Sequence, residues 1–393
     1  MSCINVTGAK ARVWATVALV VAAAAIAASG LLGERPRTQP AEPTKRSNPS
    51  SAGTRPQAVL VRRRGGVPAD WAGRLRRAQG VTAVARMGRT QALLRSSARK
   101  GGATVDAPPS GYAFPLDVLV VRPRAYAEVL PPAAPPFGRL RPGTALLSRT
   151  SARLRQLGTG DRLTLVGGRT LRVAGVVDDE LVRAAELVLR PRDAGATRPR
   201  ATQLLVATTQ PQRIRDTLPA DDLTRVRRFS RTAGASPTRI TRPAEVKDRF
   251  GEFAVRLPYR GDWIGIEPRW LRRNVDTRSV PILGAVTCHR RFIGPLRRAL
   301  AELERRGLSR LVDRGDYAGC YAPRRIPGSG SLSLHAWGLA IDLNTGANPP
   351  LGASRQDPRL VSVMERAGFT WGGRWPTAPD PMHFELHAVP SPR

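Results

Sequence analysis

Histidine and cysteine are scarce in this 393-residue chain: four of the first and three of the second. Neither occurs between residues 58 and 229. That shortage argues against a metal or thiol active site in the stretch. Acidic residues are also few, 30 against 64 Lys and Arg, for a net charge of +34. The excess is uneven: residues 1–244 carry +26 and residues 245–393 carry +8. Such a balance is either an arginine-rich solvated surface or an attraction to a polyanion. No recognised nucleic-acid motif accompanies the charge, so a specific nucleic-acid partner is not expected. An anionic cell wall or lipid surface suits it better.

Long apolar runs are nearly absent. The one that exists follows Lys10 and Arg12 and runs uncharged from Val13 to Leu32. It is a signal peptide or a single membrane anchor, and either exports the rest of the chain. Residues 1–33 form this segment, with the membrane as partner if it is retained. Residues 34–57, rich in Pro, Ser, Thr and Arg, read as a disordered tether. The product would sit on the cell membrane with extracytoplasmic domains, or be secreted.

Residues 58–229 read as a folded, mixed α/β domain. Strands are expected at 58–61 and 116–121, and a helix over 148–157 capped by Ser148 or Thr150. Two alternating runs, 163–166 and 170–176, flank Gly167-Gly168 and predict a hairpin. Pro131 to Pro136 reads as a stiff loop, and 230–244 as a second linker. From 245 onward, amphipathic helices are expected over 293–306 and 358–367, ended by Gly307 and Gly368. The fold class is α+β: helices on a small antiparallel C-terminal sheet, after a separate mixed α/β domain.

The chemistry gathers near the C-terminus. A catalytic zinc takes three protein ligands and keeps one position open. His335, Asp342 and His383 meet that count. Asp342 falls on a strand (Leu339, Ile341 and Leu343 alternating with it), and His335 on the turn before it. Asp380, between Pro379 and Pro381 and three residues before His383, is the candidate general base; a fourth ligand or a turn residue are its alternatives. Ser333 would orient the His335 loop, and Glu385 a histidine. His289 and His387 read as structural or surface residues. Trp337, Trp371 and Trp375 are candidate cleft walls, and Gly373 allows close backbone approach.

These two stretches resemble the M15 family of zinc peptidases, which includes D-alanyl-D-alanine carboxypeptidases and L-alanyl-D-glutamate endopeptidases. The shared positions are Ser333, His335, Gly338, Ala340 and Asp342; then Trp371, Gly372, Gly373 and Trp375; then Asp380, His383, Phe384 and Glu385. The resemblance covers roughly 245–393 and implies a Hedgehog/DD-peptidase-like layout, a Zn(2+) cofactor and peptidoglycan stem peptides as substrate. It places Asp380 at the family's catalytic acid position. It puts Arg324 at a motif position upstream of the first ligand, as donor to a developing oxyanion, although neighbouring Arg325 leaves the register open. A non-catalytic wall-binding scaffold is the alternative. Cys288 and Cys320 lie in this same region, and in an exported protein they are expected to form a disulfide. Residues 148–177 resemble more loosely the extracytoplasmic domains of MacB/FtsX-type permeases, without the membrane bundle that permease function needs.

Overall fold

The structure is a computed structural model. It describes residues 55–386 except 184, 196–198, 200, 222, 230–242, 259–260, 327–329 and 376–377. The apolar N-terminal segment, most of both linkers and His387 lie outside the described residues. Thr54–Arg393 makes one compact unit. Among the described residues, no helix is long and apolar enough to cross a membrane.

The architecture is α+β, with an eleven-stranded mixed sheet and a separate three-stranded antiparallel sheet. The large sheet is built on one 18-residue strand, Val81–Ala98. It pairs antiparallel in turn with Ala201–Thr208, Tyr112–Val121 and Arg162–Leu165. From Arg162–Leu165 the pairing continues through Thr170–Val177, Thr144–Ser148 and Leu187–Leu189, and returns by Tyr112–Val121 to the long strand. Six strands thus form a closed circuit. Leu94, Leu116, Val118, Leu147, Leu163, Leu171 and Leu187 belong to one buried cluster along it. Closure leaves those strands no free edge. Gln57–Arg63 and Thr224–Arg228 extend the sheet outward beyond Ala201–Thr208.

Local sequence explains much of this. In Thr170–Val177, alternate residues are buried, as a strand with one face on a core requires. The two glycines of the hairpin, Gly167 and Gly168, both take positive φ. Helix Arg149–Leu154 begins where Ser148 accepts a hydrogen bond from the Ser151 N–H. The segment expected as a stiff loop at Pro131 is instead helical: a 3-10 turn, Pro131–Ala133, then a helical turn, Ala134–Phe137. The prolines occupy first-turn positions, where their missing N–H costs nothing.

The C-terminal part packs directly on this sheet. Its first helix, Pro243–Phe250, starts inside the stretch expected as linker. Strand Val255–Arg256 pairs with Tyr112–Val121 and joins the large sheet. Between the two lies a buried ionic cluster. Lys247 Nζ reaches the Glu186 carboxylate at 2.8 Å, and the Arg155 guanidinium pairs with Glu252. Removing one partner from such a cluster costs about 3–5 kcal/mol, because the other charge is left buried alone.

Beyond it, Val275–Val280 and Gly284–His289 form a hairpin. Helices Arg290–Arg305 and Pro358–Arg366 bury Phe292, Leu296, Leu300, Leu360 and Met364 in one core with Ile341 and Phe384. Both helices are followed by glycines in the left-handed region, Gly307 and Gly368. The small sheet has the order Ala340–Asp342, His383–Leu386, Phe369–Trp371.

Candidate metal centre

In the small sheet Asp342 lies directly opposite His383. Opposed residues of an antiparallel pair share a face, so register alone brings carboxylate and imidazole together. His335 arrives from a 3-10 turn, Leu334–Trp337, whose first N–H groups Ser333 caps: its hydroxyl accepts from the His335 N–H. Gly338 then reverses the chain with φ 68°. A Cβ there would stand 2.6 Å from the His289 nitrogen, so the position requires glycine.

All three side chains are buried, and their candidate ligand atoms lie within 4.8 Å of one another. His383 Nδ1 is 2.8 Å from Asp342 Oδ1. His335 Nε2 is 3.2 Å from both that oxygen and His383 Nδ1. The outward nitrogens each face an oxygen that accepts. His335 Nδ1 is 3.0 Å from the Cys320 carbonyl, which can only accept, so Nδ1 carries a proton. His383 Nε2 likewise faces Glu385 Oε2 at 3.3 Å. The inner nitrogens, His335 Nε2 and His383 Nδ1, both face the Asp342 carboxylate, which accepts. A carboxylate so placed draws positive charge, as protons on the imidazoles or as a cation held between the three groups. Zinc ligands bonded at about 2.0–2.1 Å stand roughly 3.3 Å apart in a tetrahedron, and the donor set fits that geometry.

The electrostatics agree. Against the cost of burial, Asp342 and Glu385 push the His383 imidazole up to about 10. Against the same cost, His335 and His383 hold the Asp342 carboxyl well below its ordinary range. The same attraction for positive charge would hold a divalent cation.

Asp380 stands at the rim of this cluster. Burial raises its carboxyl, offset in part by His383. Its Oδ1 is buried and has no hydrogen-bond partner among the described residues, which leaves it available to a group from outside the fold. Gly372 makes this approach possible: a Cβ there would lie 2.6 Å from the Asp380 carbonyl oxygen. At Gly373 the crowding is instead with the Trp371 ring, 2.2 Å from a Cβ.

Arg324 sends its guanidinium to within 4.0 Å of Asp342 Oδ2. Arg325 turns away and pairs with Asp262, 3.7 Å distant, and with the Gly261 carbonyl. Cys288 and Cys320 face each other with Cα atoms 5.2 Å apart, within the roughly 4.4–6.8 Å that a disulfide spans. Trp375 tilts against His383, ring centroids 5.2 Å apart, and Trp371 donates to the Pro381 carbonyl. Trp337 is a core residue packed on Phe253, not a cleft wall. His289 caps helix Arg290–Arg305, accepting from the Arg291 N–H at Nδ1 and facing the Phe250 carbonyl with Nε2.

Two contributors carry no signal in the sequence. The Cys320 carbonyl orients His335, and a carbonyl's role depends only on the fold. Trp263 lies opposite Arg324 in an antiparallel bridge, on the face Arg324 uses, and is 65% exposed.

Two solved structures to which the chain is similar are parts of transporters. One is the periplasmic region of MacB from Actinobacillus actinomycetemcomitans: 11% identity, 44% of this chain, 89% of that chain, TM-score 0.29. The other is the extracellular domain of the noncanonic ABC-type transporter YknZ from Gram-positive bacteria: 11% identity, 43% of this chain, 99% of that chain, TM-score 0.30. Scores this low carry no functional argument. No curated protein matches the chain. Residues 327–386, which hold Ser333, His335, Asp342, Asp380 and His383, match the M15 peptidase family described as D-alanyl-D-alanine carboxypeptidase.

Proposed function

We propose that this protein is an exported, zinc-dependent peptidase that cleaves peptidoglycan stem peptides, either as a D-Ala-D-Ala carboxypeptidase or as an L-Ala-D-Glu-type endopeptidase. The observation that carries the reading is the inward convergence of two buried imidazoles and one carboxylate. His335, Asp342 and His383 would hold the ion, in a C-terminal part of Hedgehog/DD-peptidase-like layout. Zinc there would acidify water and polarise a carbonyl.

The chain's own groups supply the rest. Asp380, half-buried beside His383, takes a proton from the attacking water and returns it to the leaving amine. Arg324 places a fixed positive charge where the carbonyl oxygen gains negative charge, or where a substrate carboxylate ends. Trp263 offers an exposed apolar wall on the same face. A disulfide between Cys288 and Cys320 steadies the segment whose carbonyl orients His335. Residues 58–229 act as a positioning module, and the N-terminal segment holds the protein at the membrane or is cleaved.

The ion content of purified, dialysed full-length protein tests the ligand assignment. One zinc per chain is expected, lost on Asp342→Ala or His383→Ala. Metal-free wild type, or variants that retain the ion unchanged, would point to the non-catalytic wall-binding alternative.

A further inference from the structure

The large sheet carries a feature that the peptidase chemistry does not use. Arg62, Gln203 and Met87 lie opposite one another across three neighbouring strands. Their side chains therefore share one face. Arg89, two residues beyond Met87, returns to that face. Arg183 enters from the turn after the short helix Asp179–Val182, with φ 51° and ψ 64°. This is the left-handed region, which glycine takes without strain and arginine does not. The turn is held because Arg89 Nη1 donates to the Arg183 carbonyl at 2.7 Å. The Arg183 guanidinium lies 5.3 Å over the Phe229 ring.

Three guanidiniums thus gather where little compensates them. Asp117 stands 3.8 Å from Arg89. Among the described residues, no carboxylate pairs with Arg62 or Arg183. Burial, then Arg62, lowers the Arg183 guanidinium to about 10. Burial, Arg89 and Arg227 lower that of Arg62. A basic surface that served only solubility would spread such groups into water; here they are half-buried and near enough to lower one another's pKa values.

We infer that Arg62, Arg89 and Arg183, with the Gln203 amide among them, form a binding site for a phosphoryl group carrying at least about two negative charges, a phosphomonoester or a pyrophosphate. The charge count favours it: two unpaired cations and one partly paired exceed what a single carboxylate neutralises. Guanidinium forks also match the oxygens of a phosphoryl group. Asp117 also accepts from the Ser331 hydroxyl at 3.3 Å, four residues before His335.

Calorimetric titration of the full-length protein with inorganic pyrophosphate, at fixed ionic strength, tests this without reference to hydrolysis. Saturable one-to-one binding is expected. Arg62→Gln and Arg183→Gly should each weaken it tenfold or more, the latter keeping its turn because glycine suits it. The exposed Arg124→Gln should leave it unchanged. Glycerol 3-phosphate in parallel separates a monoester ligand from a pyrophosphate, and binding of either supports the site. Without ligand, Arg62→Gln should melt at or above the wild-type temperature, since a repulsion is relieved. No saturable binding of either probe would overturn the inference. So would equal weakening by Arg124→Gln, or an Arg62→Gln protein that melts well below wild type.

Discussion

Gly338 and His289 touch through their backbones. The His289 N–H donates to the Gly338 carbonyl at 3.0 Å, and a Cβ on Gly338 would lie 2.6 Å from that same nitrogen. One contact thus joins the turn that presents His335 to the strand end that starts the main helix. Gly338→Ala must strain both the left-handed φ and this approach. We expect a loss of about 2–4 kcal/mol in denaturant unfolding, with weaker zinc binding. Wild-type stability in this variant would show that the turn relaxes freely.

Asp380→Asn keeps the shape of the rim and removes the base. Turnover should fall by roughly 10²–10⁴, with zinc content unchanged. Hydrolysis at the wild-type rate would remove Asp380 from the mechanism.

Arg324 and Arg325 are neighbours in sequence but serve opposite directions, one toward Asp342 and the other toward Asp262. Arg324→Ala should lower kcat/KM by about 10²–10³. Arg325→Ala should change it little. Equal effects would mean that local folding, not the position of the charge, sets the loss.

His289 gives a pH dependence with a defined sign. Burial lowers its folded pKa to about 4 from the ordinary 6.5. Between those values the unfolded chain binds the extra proton, so stability falls as pH drops through that window and is fully present above it. The loss is on the order of 2–3 kcal/mol. His289→Asn, which can still cap the helix, should lack this component when unfolding is compared at pH 7 and pH 4. An identical pH slope would contradict the assignment.

The site was more legible in the sequence than the fold around it. His335, Asp342 and His383 stand on local signals: a turn glycine, an alternating strand and a proline-flanked strand start. Their convergence follows from one register, Asp342 opposite His383. The long strand Val81–Ala98 gave no such pattern. It pairs with different partners along its length, so its buried face shifts and no period of two persists. Pro131 to Pro136 misled because proline breaks helix interiors yet suits first turns. The strand Val255–Arg256, only two residues long, is too short to announce itself, yet it joins the C-terminal part to the large sheet. Trp263 and the Cys320 carbonyl depend on contacts distant in sequence, which no local reading reaches.

The most direct measurement is mass analysis of purified muropeptides after incubation with the full-length protein, with and without a chelator. The account predicts a product that the chelator abolishes and added zinc restores: loss of a terminal alanine, or cleavage within the stem. Intact muropeptides under every condition, from protein shown to contain zinc, would contradict it.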